Sequence, residues 1–168
     1  ITKLEVKGLV GRYVAKDCKS LKELTVGSPE VPFGIASGCA ALEKVNFTKS
    51  TVVVKQDAFA GCTALESITL SKHINKFDSS MIENCPALKS IEVAGGVDGS
   101  GFFYDNGALY SADKTTLVLF TNSTATTFTA LPSTVIILSN AFSGNTSLST
   151  VVLPEGLREI GASAFAGC

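Results

Sequence analysis

Cys18, Cys39, Cys62, Cys85 and Asn145 are each followed three residues later by a leucine: Leu21, Leu42, Leu65, Leu88 and Leu148. Each leucine opens one phrase, with apolar residues at its first, fourth and sixth positions: Leu21/Leu24/Val26, Leu42/Val45/Phe47, Leu65/Ile68/Leu70, Leu88/Ile91/Val93 and Leu148/Val151/Leu153. Ile1/Leu4/Val6 is a sixth copy. The first four cysteines are separated by 21, 23 and 23 residues, and Asn145 precedes Cys168 by 23. This period limits the fold before any local propensity is considered. A unit of about 23 residues cannot bury an apolar side alone, so successive copies must stack and share one core. The end of each phrase alternates apolar and polar residues, the period of a strand with one buried face. Stacked copies therefore build a parallel sheet on one side of a solenoid.

A second apolar cluster follows in most copies, at Val52-Val53-Val54, Ile74 to Phe77, Val135 to Leu138 and Leu157 to Ile160. Ala58-Phe59, Ala141-Phe142 or Ala164-Phe165 comes next, and then the Cys or Asn. These segments predict a return path of short strands with helical or 3₁₀ turns, so the expected fold class is α/β. Pro29, Pro132 and Pro154 stand just past the strand, where a missing N–H removes no ladder bond.

The pattern L-x-x-I-x-L-P-x-x-[LV]-x-x-I-x-x-x-A-F-x-x-C, fullest in Leu148 to Cys168 and in Leu42 to Cys62, resembles the BspA-like leucine-rich repeat. That repeat occurs in surface proteins of anaerobic gut and oral bacteria and of some parasitic protists. The resemblance implies a right-handed leucine-rich-repeat superhelix forming a single domain over residues 1–168. It also implies a non-enzymatic, bacterial, extracellular or cell-surface protein, in some cases an adhesin for host matrix proteins. Asn145 fits such a repeat, whose ladder position accepts Asn or Cys.

One stretch breaks the period. Leu88 to Leu148 spans 60 residues where two repeats need about 46, so roughly 14 are inserted between Gly95 and Thr127. Asn106-Gly107 between apolar runs is a strong hairpin signal, and a β-hairpin unit over about 95–127 is expected. The insertion carries Phe102, Phe103, Tyr104, Tyr110 and Phe120.

Composition narrows the functions. Fourteen Lys+Arg against 15 Asp+Glu give a net charge of -1, without the basic excess that nucleic acid demands. Charged residues are only 17% of the chain, while 18 Ser and 16 Thr predict a hydroxyl-rich surface. No apolar run is long enough to span a membrane. Stacked repeats place side chains about 4.8 Å apart, wider than the roughly 3.8 Å between Cβ atoms of a disulfide, so a ladder of buried thiols is expected. No Cys-x-x-Cys or Cys/His spacing suggests a metal, and no cofactor motif is present. His73, the one histidine, has no partner fixed by the repeat, and the scattered carboxylates form no recurring acid–base pair. Asn46-Phe47-Thr48, Asn122-Ser123-Thr124 and Asn145-Thr146-Ser147 match the glycosylation tripeptide, which a bacterial source would make irrelevant.

Two surfaces remain for binding. Outward strand positions Lys44, Asn46, Thr48, Ser67, Thr69 and Glu92 suit a polar protein partner, such as a host extracellular-matrix or cell-surface protein. Tyr104 and Tyr110 in the insertion are the aromatic candidates, since binding hot spots favour tyrosine. The leading expectation is an adhesion or protein-binding module. A structural spacer within a larger surface protein is the alternative, and a hydrolase the remote one. Because Ile1 begins in strand phase and Cys168 stops at the ladder position, the chain is also expected to be a piece of a longer protein and to self-associate end to end.

Overall fold

The computed structural model describes residues 1–48, 51, 53–94 and 101–168. The chain runs through β1 (Lys3–Val6), β2 (Glu23–Val26), β3 (Glu30–Val31), β4 (Lys44–Phe47), β5 (Val53–Val54), β6 (Ser67–Leu70) and β7 (Ser90–Val93). It continues through β8 (Phe102–Asp105), β9 (Ala108–Ser111), β10 (Thr116–Phe120), β11 (Thr127–Thr129), β12 (Ile136–Ile137), β13 (Thr150–Val152) and β14 (Glu159–Ile160). The front strands pair in parallel, in the order β1-β2-β4-β6-β7, with β11-β13 as a separate pair. Their register aligns the repeats residue for residue, Leu24 with Val45, Val45 with Ile68, and Ile68 with Ile91. Those four side chains, together with Leu21, Leu42, Leu65, Leu88 and Leu148, are buried. Burying each such side chain is worth about 1.5–3 kcal/mol.

The architecture is all-β, which corrects the α/β expectation: among the described residues the only helical element is a single 3₁₀ turn at Ser79–Met81. The reason lies in the turns. The residue before the ladder position has a left-handed backbone at Asp17, Gly38, Gly61, Asn84, Gly144 and Gly167. So does the residue four earlier at Tyr13, Gly34, Asp57, Asn140 and Ser163. Two left-handed residues that close together cannot propagate a right-handed helix.

The apolar row behind the front strands is interrupted. It runs from Leu24 to Ile91 and stops, because Val151 belongs to the separate β11-β13 pair and is only half-buried. β11 is a further front strand, in whose repeat Ala125, Phe128 and Ala130 take the three apolar positions.

The insertion explains the break. β8 pairs antiparallel with β9, and β9 with β10, which then pairs in parallel with the return strand β12. The connection at Asn106-Gly107 has φ of 49° and 81°, the two positive values that a type I′ hairpin turn requires. The return side thus gains strands where the front gains none. β9 and β10 are buried on both faces: Leu109, Val118 and Leu119 join the core of the first repeats, whereas Ala108, Tyr110, Leu117 and Phe120 join that of the last. A register shift between Leu117 and Leu119 accounts for Val118 and Leu119 facing the same way.

A single aromatic ridge through Phe59, Phe142 and Phe165 does not form. Phe142 stacks on Phe165 with centroids 4.9 Å apart and the planes at 12°, and it also meets Phe120 and Phe128, each at 5.3 Å. Phe59 packs instead on Phe47 at 5.9 Å in the other core. Ile82 stands where the next ring would be, and the antiparallel strands divide the cores.

The cysteine ladder is a ladder of thiol donors. Cys39 donates to the Ala15 carbonyl at 2.8 Å, Cys62 to Ala36 at 3.2 Å, Cys85 to Phe59 at 3.2 Å and Cys168 to Phe142 at 3.3 Å. Asn145 Nδ2 also donates to the Phe142 carbonyl, at 3.0 Å. Only Cys39 and Cys62 are fully buried, since Cys18 and Cys85 are half-buried and Cys168 is exposed. Burial pushes the Cys39 and Cys85 thiols up to about 11, and Cys62 higher still, from an ordinary value of 9.0. A group whose pKa is raised by folding adds stability that is complete below its unfolded pKa and lost as pH rises through the folded one. The urea midpoint is therefore expected to fall from pH 9.0 through about 11. Replacing Cys39, Cys62 and Cys85 together by serine should flatten that slope to the part due to Tyr110, whose phenol burial also raises. An unchanged slope in the triple variant would show that these thiols do not carry it.

Candidate functional site: the front sheet face

Because front strands stack in register, outward side chains form rows across the sheet. One row is Lys3, Glu23, Lys44, Ser67 and Ser90, and the next is Glu5, Thr25, Asn46, Thr69 and Glu92. A third row, one residue before each strand, holds Lys22, Glu43, Glu66 and Lys89. Opposite charges meet along these rows and, at Lys7, beside them. Lys3 Nζ lies 2.7 Å from Glu23, Lys22 2.8 Å from Glu43, Lys89 2.9 Å from Glu66, and Lys7 3.3 Å from Glu5. Such exposed pairs contribute only about 0.2–1 kcal/mol each. Their larger effect is to neutralise the face.

Lys44 and Glu92 differ from the rest. Among the described residues neither joins an ion pair. Glu23 faces Lys3 on one side and Lys44 on the other. Its carboxyl is held below the ordinary range first by the Lys3 hydrogen bond and charge, with a smaller contribution from Lys44. Asn46 Nδ2 donates to Glu23 at 3.5 Å and Thr69 Oγ1 to Glu92 at 3.4 Å. Lys44, Thr48 and Glu92 are exposed, while Asn46, Ser67 and Thr69 are half-buried. Thr2, Lys3, Lys22, Glu23, Glu43 and Lys44 line a shallow open depression of about 540 Å³. The structure thus brings Lys44, Asn46, Thr48, Ser67, Thr69 and Glu92 onto one continuous polar surface.

Tyr110 is not part of any such surface. It is 1% exposed, and its hydroxyl accepts from the Leu131 N–H at 3.3 Å. Its strand lies between the two cores, so both of its faces are buried. Tyr104 is half-buried and closes the edge of the front sheet. In the regular repeats the carbonyl before each strand accepts an N–H of the next repeat. Lys22 donates to Thr2, Glu43 to Lys22, Glu66 to Glu43, and Lys89 to Glu66, all at 2.8–2.9 Å. At Lys89 the series passes to side chains. The Tyr104 hydroxyl lies 3.3 Å from the Lys89 carbonyl and 2.8 Å from Thr121 Oγ1. Thr121 Oγ1 itself lies 3.5 Å from the Lys89 carbonyl and 3.3 Å from that of Gly107, so both hydroxyls gather at the end of the series.

Sequence reasoning missed Thr121 and the strand β11, which adds Thr127 and Thr129 beside Thr150 and Val152. The available signal was Asn122, which precedes Asn145 by one period of 23 residues. Ala125 in place of leucine hid it. His73 is exposed, and its N–H is bonded to the Ser71 hydroxyl. Among the described residues no group of three or more His, Cys, Asp or Glu could hold a metal, and no helix is long and apolar enough to cross a membrane.

The stacked register, the tight turns and the ladder of Cys and Asn match a known family model, the BspA type leucine-rich repeat region, in six copies over residues 9–109 and 114–168. The chain belongs to the BspA-type leucine-rich-repeat family. Among solved structures it is similar to the pneumococcal vaccine antigen PcpA, with 28% identity and a TM-score of 0.77 over 88% of this chain and 37% of that one. It is also similar to a leucine-rich cell surface protein from Faecalibacterium prausnitzii A2-165, with 25% identity and a TM-score of 0.74 over 88% of this chain and 39% of that one. A leucine-rich repeat protein from Eubacterium ventriosum, 17% identical with a TM-score of 0.58, shares the fold. Comparison with curated proteins gives no match. The chain spans about two-fifths of the length of the first two solved relatives. BspA-type repeats and these relatives are typical of bacterial surface proteins, and the family is typically non-catalytic.

The edge closure at Lys89 is testable. Removing a hydrogen-bonding partner of this kind costs about 1 kcal/mol. Tyr104→Phe and Thr121→Val should each lower stability by about that much, and the double variant by less than their sum, because both act at one carbonyl. Additive losses in urea denaturation would separate the two hydroxyls.

Proposed function

We propose that the chain is an extracellular protein-binding module, an adhesin or part of one, whose contact surface is the front sheet face around Lys44. The observation that carries this reading is the fixed polar surface in which lysines 3, 7, 22 and 89 each sit in an ion pair with a glutamate while, among the described residues, Lys44 sits in none. In-register strands hold these side chains on a rigid support, so a partner meets a surface that needs little ordering. Asn46, Ser67, Thr69 and Glu92 supply donors and acceptors beside that cation. The partner class is a polar protein surface offering a carboxylate to Lys44, such as a host extracellular-matrix or cell-surface protein. Family membership and the surface proteins among its structural relatives support the location.

The extent of internal charge pairing favours a second reading, a spacer whose face is satisfied by itself. Catalysis suits the face poorly, because Glu23, Glu43 and Glu66 are each held in an ion pair with a lysine rather than turned toward one another. Binding of immobilised extracellular-matrix proteins to the chain distinguishes the two readings. Binding should be saturable and salt-sensitive, and Lys44→Glu should weaken it about ten-fold, equivalent to ~1.4 kcal/mol. Saturable binding untouched by Lys44→Glu would move the site elsewhere. Absence of binding across the panel would favour the spacer.

A further inference from the structure

In the outward rows of the front face, with Lys7 beside them, every described lysine and glutamate but two meets an opposite charge. The two left over are Lys44 and Glu92, one cation and one anion, both exposed. A single strand explains why. Pairs such as Lys3–Glu23, Lys22–Glu43 and Lys89–Glu66 form across neighbouring strands. Lys44 is flanked by Glu23, which Lys3 already holds, and by Ser67. Glu92 is flanked by Thr69 alone, since the paired sheet ends at β7. Ser67 and Thr69 are the outward residues of β6, and β6 alone among the strands of that sheet presents no charge outward.

A charge at either position of β6 would close the series. Instead the strand holds the two unmatched charges apart. The register sets Lys44 beside Ser67 and Glu92 beside Thr69, two strands and two residues from each other, which is about 12 Å between Cα atoms. That separation exceeds the screening length of about 8 Å in physiological salt, so neither charge neutralises the other. Asn46, Ser67, Thr69 and Ser90 fill the strip between them with amide and hydroxyl groups that both donate and accept. Thr69 Oγ1 donates to Glu92 at 3.4 Å, which ties the anion to this strip. Both charges lie in interior repeats, on strands whose register is fixed by β6 between them.

We infer that Lys44 and Glu92 are the two anchors of one site, whose partner is a protein surface bearing a carboxylate and, about 12 Å from it, an ammonium or guanidinium group. The inference rests on the protein-binding reading of the front face and adds a polarity to it. The partner's carboxylate meets Lys44 and its cation meets Glu92, so its direction across β6 is fixed. A partner turned end for end brings like charges together at both anchors and is rejected. A purely acidic partner gains at Lys44 and is repelled at Glu92.

Binding of the whole chain to immobilised extracellular-matrix proteins tests the inference through charge reversals that separate pattern from net charge. Glu92→Lys should weaken binding about ten-fold, as Lys44→Glu should. Glu92→Gln, which removes the anchor without adding a repulsion, should weaken it less than Glu92→Lys. Lys44→Glu/Glu92→Lys together keeps the net charge of -1 and inverts the pattern, and it should weaken binding about a hundred-fold. Glu30→Lys/Lys55→Glu, which inverts an ion pair on the return side, should leave binding unchanged. Circular dichroism checks that each variant folds. Wild-type affinity in the Lys44→Glu/Glu92→Lys variant would overturn the inference, because binding would then read net charge alone. Loss with Lys44→Glu and none with Glu92→Lys would overturn it too, and would leave Lys44 as the single anchor of the proposed function. Saturable binding indifferent to both reversals, or no binding to any of the matrix proteins, would overturn this inference and the protein-binding reading of the face together.

Discussion

Everything in this protein depends on the backbone hydrogen bond from one repeat to the next. The carbonyls of Thr2, Lys22, Glu43 and Glu66 each accept from the residue 20 to 23 positions further along the chain, and in the turns the N–H groups of Ala15 and Phe59 donate the other way, to the carbonyls of Ile35 and Met81 in the next repeat. Because these bonds are local between neighbouring units, the register at one repeat fixes the next. The apolar row behind the front strands, the thiol donors in the turns and the polar rows in front follow from that one alignment. Stability in such an array is a sum over units and their interfaces, so an irregular interface matters more than any single side chain.

The irregular interface lies after β7. The chain there makes an antiparallel excursion through the interior, and the front ladder hands its terminal carbonyl to two hydroxyl side chains. β9 and β10 bury both faces, so they join the two cores mechanically while separating them in composition. The first core is aliphatic along its front row, from Leu24 to Ile91, whereas the second is built around Phe120, Phe128 and Phe142. Surface charge follows the same division: the charged rows belong to the front strands of the first core, and the front strands of the second carry Thr127, Thr129 and Thr150.

The front strands were legible in the sequence because a leucine phrase at a fixed distance from a cysteine carries both the period of the repeat and the period of a strand. The outward rows were legible for the same reason. What escaped was set by context. Tyr110 reads as an exposed hairpin aromatic until the strands on either side are known to bury both faces. The turns read as helical because left-handed geometry at Tyr13 or Ser163 has no glycine to announce it, and the repeat opening at Ala125 lacks the leucine that marks the others. Lys44 shows the converse. Its outward position was plain, but its unpaired charge emerges only when Lys3, Lys22 and Lys89 are seen to find their glutamates.

Residue-resolved hydrogen exchange on Phe142→Ala tests most directly whether the interior strands divide the array into two cores under one ladder. Removing this ring from a packed aromatic cluster costs about 3–5 kcal/mol. If the cores are distinct, exchange should accelerate at the amides of Ala130, Phe142 and Ser149, while those of Glu43 and Glu66 keep their protection. Equal acceleration at Glu43 and Glu66 would contradict the division and show one core cooperating along the whole solenoid.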